Sequence, residues 1–472
     1  MAEFRSNEVE EYFKGKTILV TGATGFLAKT FVEKILRIQP NIKRLYLVVR
    51  ASNTHVAIQR LHAEVFGKEL FKIQRDKWGE NFSSFLSEKV VAVAADVSLH
   101  NFGIRDQTLV EKMFEDIEII VHSAATTRWD ERYDVAMSTN TMGAYNTLNF
   151  AKMCPRIQVF LHVSTAYVCG EEKGLKPEEP FQMGQTLKGS SKLDINLEKK
   201  LIEQTLCELH AQNANEKTIT SIMKELGAAR ANLHGWQDTY ALTKAMGEMI
   251  VTNMKGNIPL IITRPTAILG THLEPFPGWI EGVRTIDFVF VEYFKGAITS
   301  FVGDPNITMD MIPADMVTNS MIIALMVHSK NHTSDNLMIY HIGTSLRNPI
   351  KLSDVQDIMH LYITKNPWLK NYGKSKAFFK KFTFLPNYTE DHEFPQHKRS
   401  RLKRIINIYR PYFTEPEIIF DDKNTEKLRM AIKGVDNVNR EFNFDPRSID
   451  WKEYLMNVHF PGLVKYTMQP KM

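Results

Sequence analysis

The chain has few cysteines and no long apolar run. Its 472 residues include only three cysteines, Cys154, Cys169 and Cys207, and no C-x-x-C pair. A small and odd number of cysteines argues against a disulfide framework and against a structural zinc site, so we expect a reducing compartment and no metal. No apolar stretch reaches the length that a membrane-crossing helix needs, so we expect no transmembrane helix.

A strong charge imbalance and a targeting segment are also lacking. The net charge of +5 is too diffuse to predict nucleic-acid binding, although it suits an anionic cofactor. The first residues, MAEFRSNEVEEYFKGK, are acidic and polar, unlike a secretory signal or a transit peptide. We therefore expect an intracellular protein that is cytosolic or peripheral on the cytosolic face of the endoplasmic reticulum.

Short apolar runs alternate with helical patterns along most of the chain. They predict strands at residues 17–20, 44–49, 89–93, 117–121, 159–163, 259–263 and 338–342. Strands that alternate with helices indicate right-handed crossovers and an α/β fold, a Rossmann-type doubly wound parallel sheet. The ligand crevice of such a sheet lies beyond the carboxyl ends of its strands, so residues that follow strands are the candidates for function.

The stretch KTILVTGATGFLAK, residues 16–29, reads as a strand, a tight turn and a helix start. Gly22, Gly25 and Ala28 have G-x-x-G-x-x-A spacing, which suits a sharp turn, close backbone approach to a diphosphate and helix-on-strand packing. The predicted helix, from about residue 26 to 36, offers its N-terminal amides to an anion. We therefore predict a dinucleotide-binding loop formed by Thr21, Gly22, Thr24, Gly25, Phe26 and Leu27.

Three further strand ends carry candidate cofactor contacts. Arg50 ends the second strand, where an acidic residue would favour NAD, so we predict NADPH; a solvated strand-end arginine is the alternative. Asp96 and Val97 follow the third strand and are candidates for adenine contact, whereas a plain turn aspartate is equally compatible with the sequence. Ala124 follows the fourth strand in the run His122-Ser-Ala-Ala, whose small residues allow the backbone to approach the cofactor.

A hydroxyl-bearing strand end and a Y-x-x-x-K pair form the candidate catalytic group. Ser164 and Thr165 close the fifth strand, and Tyr240 and Lys244 lie four residues apart downstream. On a helix these two share one face, so we expect the ammonium group to lower the phenol pKa from about 10. Tyr240 would then protonate an oxyanion that Thr165 or Ser164 holds. We predict no nucleophilic role for Cys169, because the sequence supplies no evident base or cation for its thiolate.

Longer blocks extend this pattern over nearly the whole chain. They include TGATGFLAKTFVEKILR, ERYDVAMSTNTMGAYNTLNFAK, HVSTAYVCGEEKGL, YALTKAMGEM, EPFPGWIEGVRTID and, near the end, EFNFDPRSIDWKEYL and HFPGLVKY. In content and order they resemble the plant-type alcohol-forming fatty acyl-CoA reductases, which are extended short-chain dehydrogenase/reductases. The resemblance implies that Asn140 supports the catalytic lysine and that Arg264-Pro265, after the next strand, lies along the nicotinamide.

The resemblance also implies an activity. It is the NADPH-dependent reduction of a long-chain acyl-CoA, or of an acyl carrier protein thioester, to a primary alcohol through an aldehyde, for wax or surface-lipid synthesis. Two alternatives stand beside it, a sugar or steroid reductase on the same fold and a dinucleotide-binding scaffold without turnover. The family-like C-terminal blocks speak against the first alternative, and the intact pair Tyr240 and Lys244 speaks against the second.

The same resemblance divides the chain into parts. We predict a reductase domain over residues 12–370, a polar linker over residues 371–404 and a small C-terminal domain over residues 405–472. The long insertion between Cys169 and Gly235, with helical runs at residues 193–209 and 218–230, either helps to build an acyl pocket or is a packing subdomain. The basic and apolar stretch 397–410 suits either an interfacial helix on an anionic membrane or a solvated basic face.

Overall fold

A seven-stranded sheet is the centre of the computed structural model, which describes residues 6–170, 172–189, 192–330, 336–372, 380–385, 413–414, 418–432 and 441–468. Its strands are Thr17–Thr21 (β1), Arg44–Val49 (β2), Val90–Ala94 (β3), Ile119–His122 (β4), Val159–Val163 (β5), Leu260–Pro265 (β6) and Leu337–Ile342 (β7). The strand order is β7-β6-β5-β4-β1-β2-β3, and all six pairings are parallel. The predicted doubly wound sheet is confirmed, and its order reverses between β1 and β4, where a ligand crevice is expected.

Helices cover both faces of this sheet and also pack outside it. They are Ser6–Phe13 (α1), Phe26–Ile38 (α2), Thr54–Leu61 (α3), Lys72–Trp78 (α4), Phe82–Lys89 (α5), Gln107–Asp116 (α6), Tyr133–Ala136 (α7), Gly143–Lys152 (α8), Ile195–Ala211 (α9), Glu216–His234 (α10), Thr239–Met254 (α11), Ile286–Phe294 (α12), Ala314–Lys330 (α13), Leu352–Lys365 (α14) and Lys423–Ile432 (α15). A π-helical turn, Met137–Met142, joins α7 to α8, and α and π segments from Trp451 to Met468 form one C-terminal helix, residues 451–468.

Short strands pair outside the main sheet. They are Gly174–Lys176, Ala267–Leu269, Ser300–Val302, Thr308–Met309, Met311–Pro313, Ile350–Lys351, Thr383–Leu385 and Ile418–Phe420. No helix in the described ranges is long and apolar enough to cross a membrane.

The strands are apolar at nearly every position because both faces of the sheet are buried. Alternate residues of β1 enter different clusters: Val20 packs with α2 and α13 on one face, and Leu19 packs with α6, α8 and α11 on the other. All seven predicted strands occur, with ends that differ by at most two residues. The strand β6 runs two residues further than predicted, so Arg264 and Pro265 lie within this strand and do not follow it.

The insertion before α11 forms two long helices, α9 and α10, which pack in a third apolar cluster with α11. A buried carboxylate fixes them to the core, because Glu198 on α9 accepts hydrogen bonds from Tyr133 (2.8 Å) and from Arg230 on α10 (2.9 Å). His234 lies 3.0 Å from the same carboxylate. These contacts show how the insertion packs, and its two alternatives, an acyl pocket and a packing subdomain, both stay predictions.

The C-terminal residues pack directly on the reductase core. Strand Ile418–Phe420 pairs in parallel with Gly174–Lys176, and apolar side chains of the C-terminal helix share one cluster with β1 and α2. Of the predicted linker, the structure describes residues 371–372 and 380–385, and the basic stretch 397–410 lies outside the described residues. The domain boundaries stay a prediction.

We expect Gly462→Ala to destabilise the protein by roughly 1–3 kcal/mol, because overpacking in a tight contact costs about that much. A Cβ atom at Gly462 would overlap the Gly278 carbonyl oxygen, and both partners in this contact are backbone. Thermal and urea unfolding would measure the loss. The exposed Lys452 lies on the same helix, and Lys452→Ala is the matched control, with an expected change below about 0.5 kcal/mol. Equal stability of both variants would contradict the close contact.

Candidate active site

The turn between β1 and α2 comes very close to the end of β4. Gly22 has a φ of +71°, and a Cβ atom there would lie 2.8 Å from the N and Cα atoms of Ala124. The Thr21 hydroxyl oxygen accepts hydrogen bonds from the amides of Ser123 and Ala124, both at 3.2 Å. The half-buried Thr24 lies in the turn, and Ala28 is buried. Only glycine fits at position 22, so the residues present suit a loop that admits a diphosphate.

A cavity of about 660 Å³ opens at this edge of the sheet. Eight of the predicted site residues line it, namely Gly25, Phe26, Leu27, Ser164, Thr165, Tyr240, Lys244 and Pro265. The structure therefore brings the first turn of α2, whose amides are free for an anion, to the same cavity as the candidate catalytic side chains.

The candidate catalytic residues meet through short contacts. The Lys244 ammonium donates to the Val163 carbonyl at 2.7 Å, and Lys244 is 1% exposed. The Thr165 side chain lies close enough to the Tyr240 phenol to lower its pKa. The Ser164 hydroxyl lines the cavity and has no hydrogen-bond partner among the described residues. A substrate oxygen in this cavity would have hydroxyl donors from two chain segments within reach.

The expected lowering of the tyrosine pKa is wrong for this structure. Burial raises the pKa of Tyr240, Asp238 raises it further, and the Thr165 side chain opposes both. Burial lowers the pKa of Lys244 to about 8, against the opposing effect of Glu248. Desolvation dominates both shifts, and Tyr240 stays a protonated hydrogen-bond donor at neutral pH.

Asn140 lies close to this group but contacts neighbours of the lysine. Its amide donates to the Thr126 carbonyl (3.1 Å) and to the Thr243 hydroxyl (3.0 Å), and its oxygen accepts from the Thr126 amide (2.9 Å). These three bonds fix the loop after β4 against α11. Support of Lys244 by Asn140 would therefore be indirect.

The other predicted cofactor residues lie outside the cavity lining. Arg50 is exposed at the end of β2, and its carbonyl accepts from Arg60 at 2.5 Å. Asp96 accepts from the Ser98 amide at 2.9 Å, the contact of a turn aspartate. Val97 is buried. The plain-turn alternative thus accounts for the contact of Asp96, and adenine contact stays a prediction.

Arg264 is engaged away from the cavity, whereas its neighbour Pro265 lines it. The buried Arg264 guanidinium forms a bidentate ion pair with Glu248, with Nε–Oε1 and Nη2–Oε2 distances of 3.0 and 2.6 Å. It also donates to the Cys169 sulfur at 3.6 Å, and His341 lies 3.7 Å from that sulfur. Cys169 therefore has a cation and an imidazole beside it, which the sequence did not indicate. Burial nevertheless raises the pKa of the Cys169 thiol, which favours the unreactive thiol form.

Several cavity residues were not among the predicted site residues. They are Ser123, Ala125, Thr127, Arg128, Trp129, Asp130, Val163, Tyr167, Thr266, Ala267, Ile268, Val283, Arg284 and Thr285. Ser123 and Ala125 belong to the small-residue run after β4 that the sequence marks for close approach to the cofactor. Residues 283–285 follow no strand of the main sheet, and the sequence marks them only as part of the block EPFPGWIEGVRTID.

Comparisons with known proteins agree with this geometry. Residues 20–321 match a family model for an NAD-binding domain described as male sterility protein, and residues 387–470 match a second model with the same description. A nicotinamide dinucleotide is therefore the cofactor class. The reductase domain of a nonribosomal peptide synthetase from Mycobacterium tuberculosis is similar in structure, with a TM-score of 0.58 and 15% identity over 98% of this chain and 95% of that one. This likeness shows the fold alone.

Two plant proteins are similar over almost their whole length. Fatty acyl-CoA reductase 8 of Arabidopsis thaliana is 46% identical over 97% of this chain and 98% of its own. The alcohol-forming fatty acyl-CoA reductase of Simmondsia chinensis is 45% identical over 97% and 98%. These relatives and the two family models agree with a cavity that joins the predicted dinucleotide loop to Tyr240 and Lys244. The chain therefore belongs to the fatty acyl-CoA reductases.

Proposed function

We propose that the protein reduces a long-chain fatty acyl-CoA to a primary alcohol with NADPH, through an aldehyde. The observation that carries this proposal is that Thr165, Tyr240 and Lys244 line one cavity with the N-terminal residues of α2. The alcohol-forming relative from Simmondsia chinensis supports the alcohol as the end product. An acyl carrier protein thioester is the second candidate substrate.

Gly22, Gly25 and the first-turn amides of α2 would hold the cofactor diphosphate. Arg50 would meet a 2′-phosphate, Asp96 and Val97 the adenine, and Ala124 and Pro265 the nicotinamide half. When bound, the nicotinamide supplies hydride to the carbonyl carbon. Lys244 would bind the nicotinamide ribose, as expected from the resemblance.

Each of two hydride additions leaves a negative oxygen that Thr165 and Tyr240 would stabilise by hydrogen bonds. After the first addition, the tetrahedral thiohemiacetal oxyanion reforms its C=O bond, the C–S bond breaks and coenzyme A leaves as a thiolate. After the second addition, the alkoxide has no leaving group and must take a proton, which the Tyr240 phenol would supply. The raised pKa of Tyr240 keeps this proton in place until an alkoxide forms.

The proposal extends to the setting of the reaction. A long-chain alcohol is poorly soluble in water, so its release at a membrane surface would suit the chemistry. We propose a cytosolic protein or one that is peripheral on the cytosolic face of the endoplasmic reticulum, with wax or surface lipid as the use of the alcohol.

Purified protein given NADPH and acyl-CoAs of increasing chain length should form fatty alcohols, with the aldehyde as a minor species. Mass spectrometry of the extracted lipids would identify the products. Aldehyde as the only product would contradict the second reduction. Absence of any lipid product from all acyl-CoAs and acyl carrier protein thioesters would overturn the proposed activity.

Cofactor choice depends on the charge at the end of β2. If the Arg50 guanidinium pairs with the 2′-phosphate, Arg50→Ala should weaken NADPH binding by about 1.5–3 kcal/mol, the typical contribution of a hydrogen bond to a charged group. NADH lacks that phosphate and is the internal control, with nearly unchanged affinity. Titration of both cofactors by calorimetry tests this, and equal losses for the two would refute the role of Arg50.

Tyr240→Phe should impair aldehyde reduction more than thioester reduction, by a factor on the order of 10² for a lost general acid. The first step expels thiolate and needs no proton on the oxygen, whereas the second step does. Fatty aldehyde with NADPH isolates the second step, so the two rates can be compared directly. Lys244→Ala should impair both steps, because the ammonium would hold the cofactor in each.

The matched control is Tyr145→Phe, which removes one phenolic hydroxyl from α8 and should leave both rates unchanged. Tyr145 does not line the cavity. Wild-type aldehyde reduction by Tyr240→Phe would mean that another residue delivers the proton.

A further inference from the structure

Arg284 lies at the cavity wall beside the first turn of α2. It belongs to a loop over residues 270–285, here named the cavity loop, whose last three residues line the cavity together with Gly25, Phe26 and Leu27. The Arg284 side chain is exposed, and its guanidinium carbon lies 5.2 Å from the centre of the Phe26 ring. The guanidinium therefore lies next to the helix end whose amides are suited to an anion.

The core holds the cavity loop in place by many contacts. The Asp315 carboxylate on α13 accepts hydrogen bonds from the backbone amides of His272 (2.8 Å), Leu273 (2.8 Å) and Glu274 (3.0 Å). Further along the loop, Trp279 stacks on Phe26 with ring centres 5.2 Å apart. These contacts anchor the loop backbone as far as Trp279, five residues before Arg284.

The C-terminal helix contributes to this placement. The buried His459 accepts a hydrogen bond from the Gly270 amide at 3.3 Å, and its other ring nitrogen lies 2.9 Å from an Asp287 carboxylate oxygen. The Tyr454 hydroxyl donates to the Gly270 carbonyl at 2.6 Å. These contacts hold both ends of the cavity loop, since Gly270 begins it and Asp287 follows it.

The two carboxylates that interact electrostatically with Arg284 form ion pairs with other residues. They are Glu281 and Asp287, whose negative charges act on the Arg284 guanidinium. Glu281, however, pairs with Lys29 and with Lys68 (3.4 Å), and Asp287 pairs with His459. In the described part of the chain no carboxylate lies within 4.0 Å of the guanidinium, which donates instead to the Glu281 carbonyl. Its positive charge remains available to an anionic ligand.

We infer that Arg284 binds the diphosphate of the dinucleotide cofactor together with the first-turn amides of α2. A planar guanidinium can donate two parallel hydrogen bonds to phosphate oxygens, and the Phe26 ring limits the orientations it can adopt. The diphosphate thereby receives a full positive charge in addition to the partial charge of the helix end. This inference rests on the proposed function only in taking NADPH as the cofactor.

Coenzyme A also carries a diphosphate, and the position of Arg284 favours the dinucleotide. The residues that share its part of the cavity wall, Gly25, Phe26 and Leu27, belong to the dinucleotide loop. A contact with coenzyme A would leave the affinity for the free cofactor unchanged, so the two ligands can be told apart.

Calorimetric titration of the full-length protein with NADP⁺, without any acyl substrate, tests the inference. Arg284→Gln should weaken binding roughly 10- to 100-fold, the loss expected for a charge-assisted contact. Arg284→Lys, which keeps the charge and loses the planar fork, should lie between this variant and the wild type. Arg105→Gln is the matched control, because Arg105 is exposed and lies outside the cavity lining, and its affinity should stay unchanged. Thermal unfolding would verify that each variant is folded.

Unchanged NADP⁺ affinity in folded Arg284→Gln would overturn the inference. If that variant also showed a raised KM for acyl-CoA but normal reduction of free aldehyde, the residue would be assigned to coenzyme A. The readout is independent of turnover: a wild-type protein that binds NADP⁺ but reduces no acyl thioester would refute the proposed function and leave the Arg284 result standing.

Discussion

Gly22 brings the turn after β1 into direct backbone contact with Ala124 at the end of β4, and the shape of the cavity depends on this contact. The two strands are neighbours at the point where the sheet order reverses, so their carboxyl ends open onto the same crevice. Thr21 stabilises this close contact, because its hydroxyl oxygen accepts hydrogen bonds from two backbone amides of the loop after β4. The start of α2, whose amides are suited to an anion, is thereby fixed relative to the hydroxyl groups that follow β5.

A buried polar layer lies between the sheet and α11. His122 and His162 occupy matched positions on β4 and β5 with ring centres 5.2 Å apart, and burial lowers the pKa of His122 to about 3, with Lys244 adding to the shift. Glu248, one turn after Lys244, is already paired with Arg264. Lys244 is thus surrounded by neutral groups and by a carboxylate that another cation shares, which explains why burial dominates its pKa.

The C-terminal helix belongs physically to the cavity, although it is remote in sequence. Its Gly462 packs backbone to backbone on Gly278, and its His459 and Tyr454 hold Gly270. Family resemblance suggested a separate small domain at the end of the chain. The contacts make the helix of this predicted domain a support for the cavity loop, whose last residues lie beside the first turn of α2.

The sequence by itself determined the seven strands, the dinucleotide loop and the pairing of Tyr240 with Lys244 on one helix face. Each of these depends on residues that are close along the chain. Apolar runs, glycine spacing and helical periodicity can be recognised in such short segments from the sequence alone. Only the tertiary structure decided the neighbours of Cys169, the ion pair of Arg264 and the presence of Arg284 at the cavity. It also decided the direction of the Tyr240 pKa shift. Those properties depend on burial and on contacts between distant segments, and neither quantity is encoded in a local pattern.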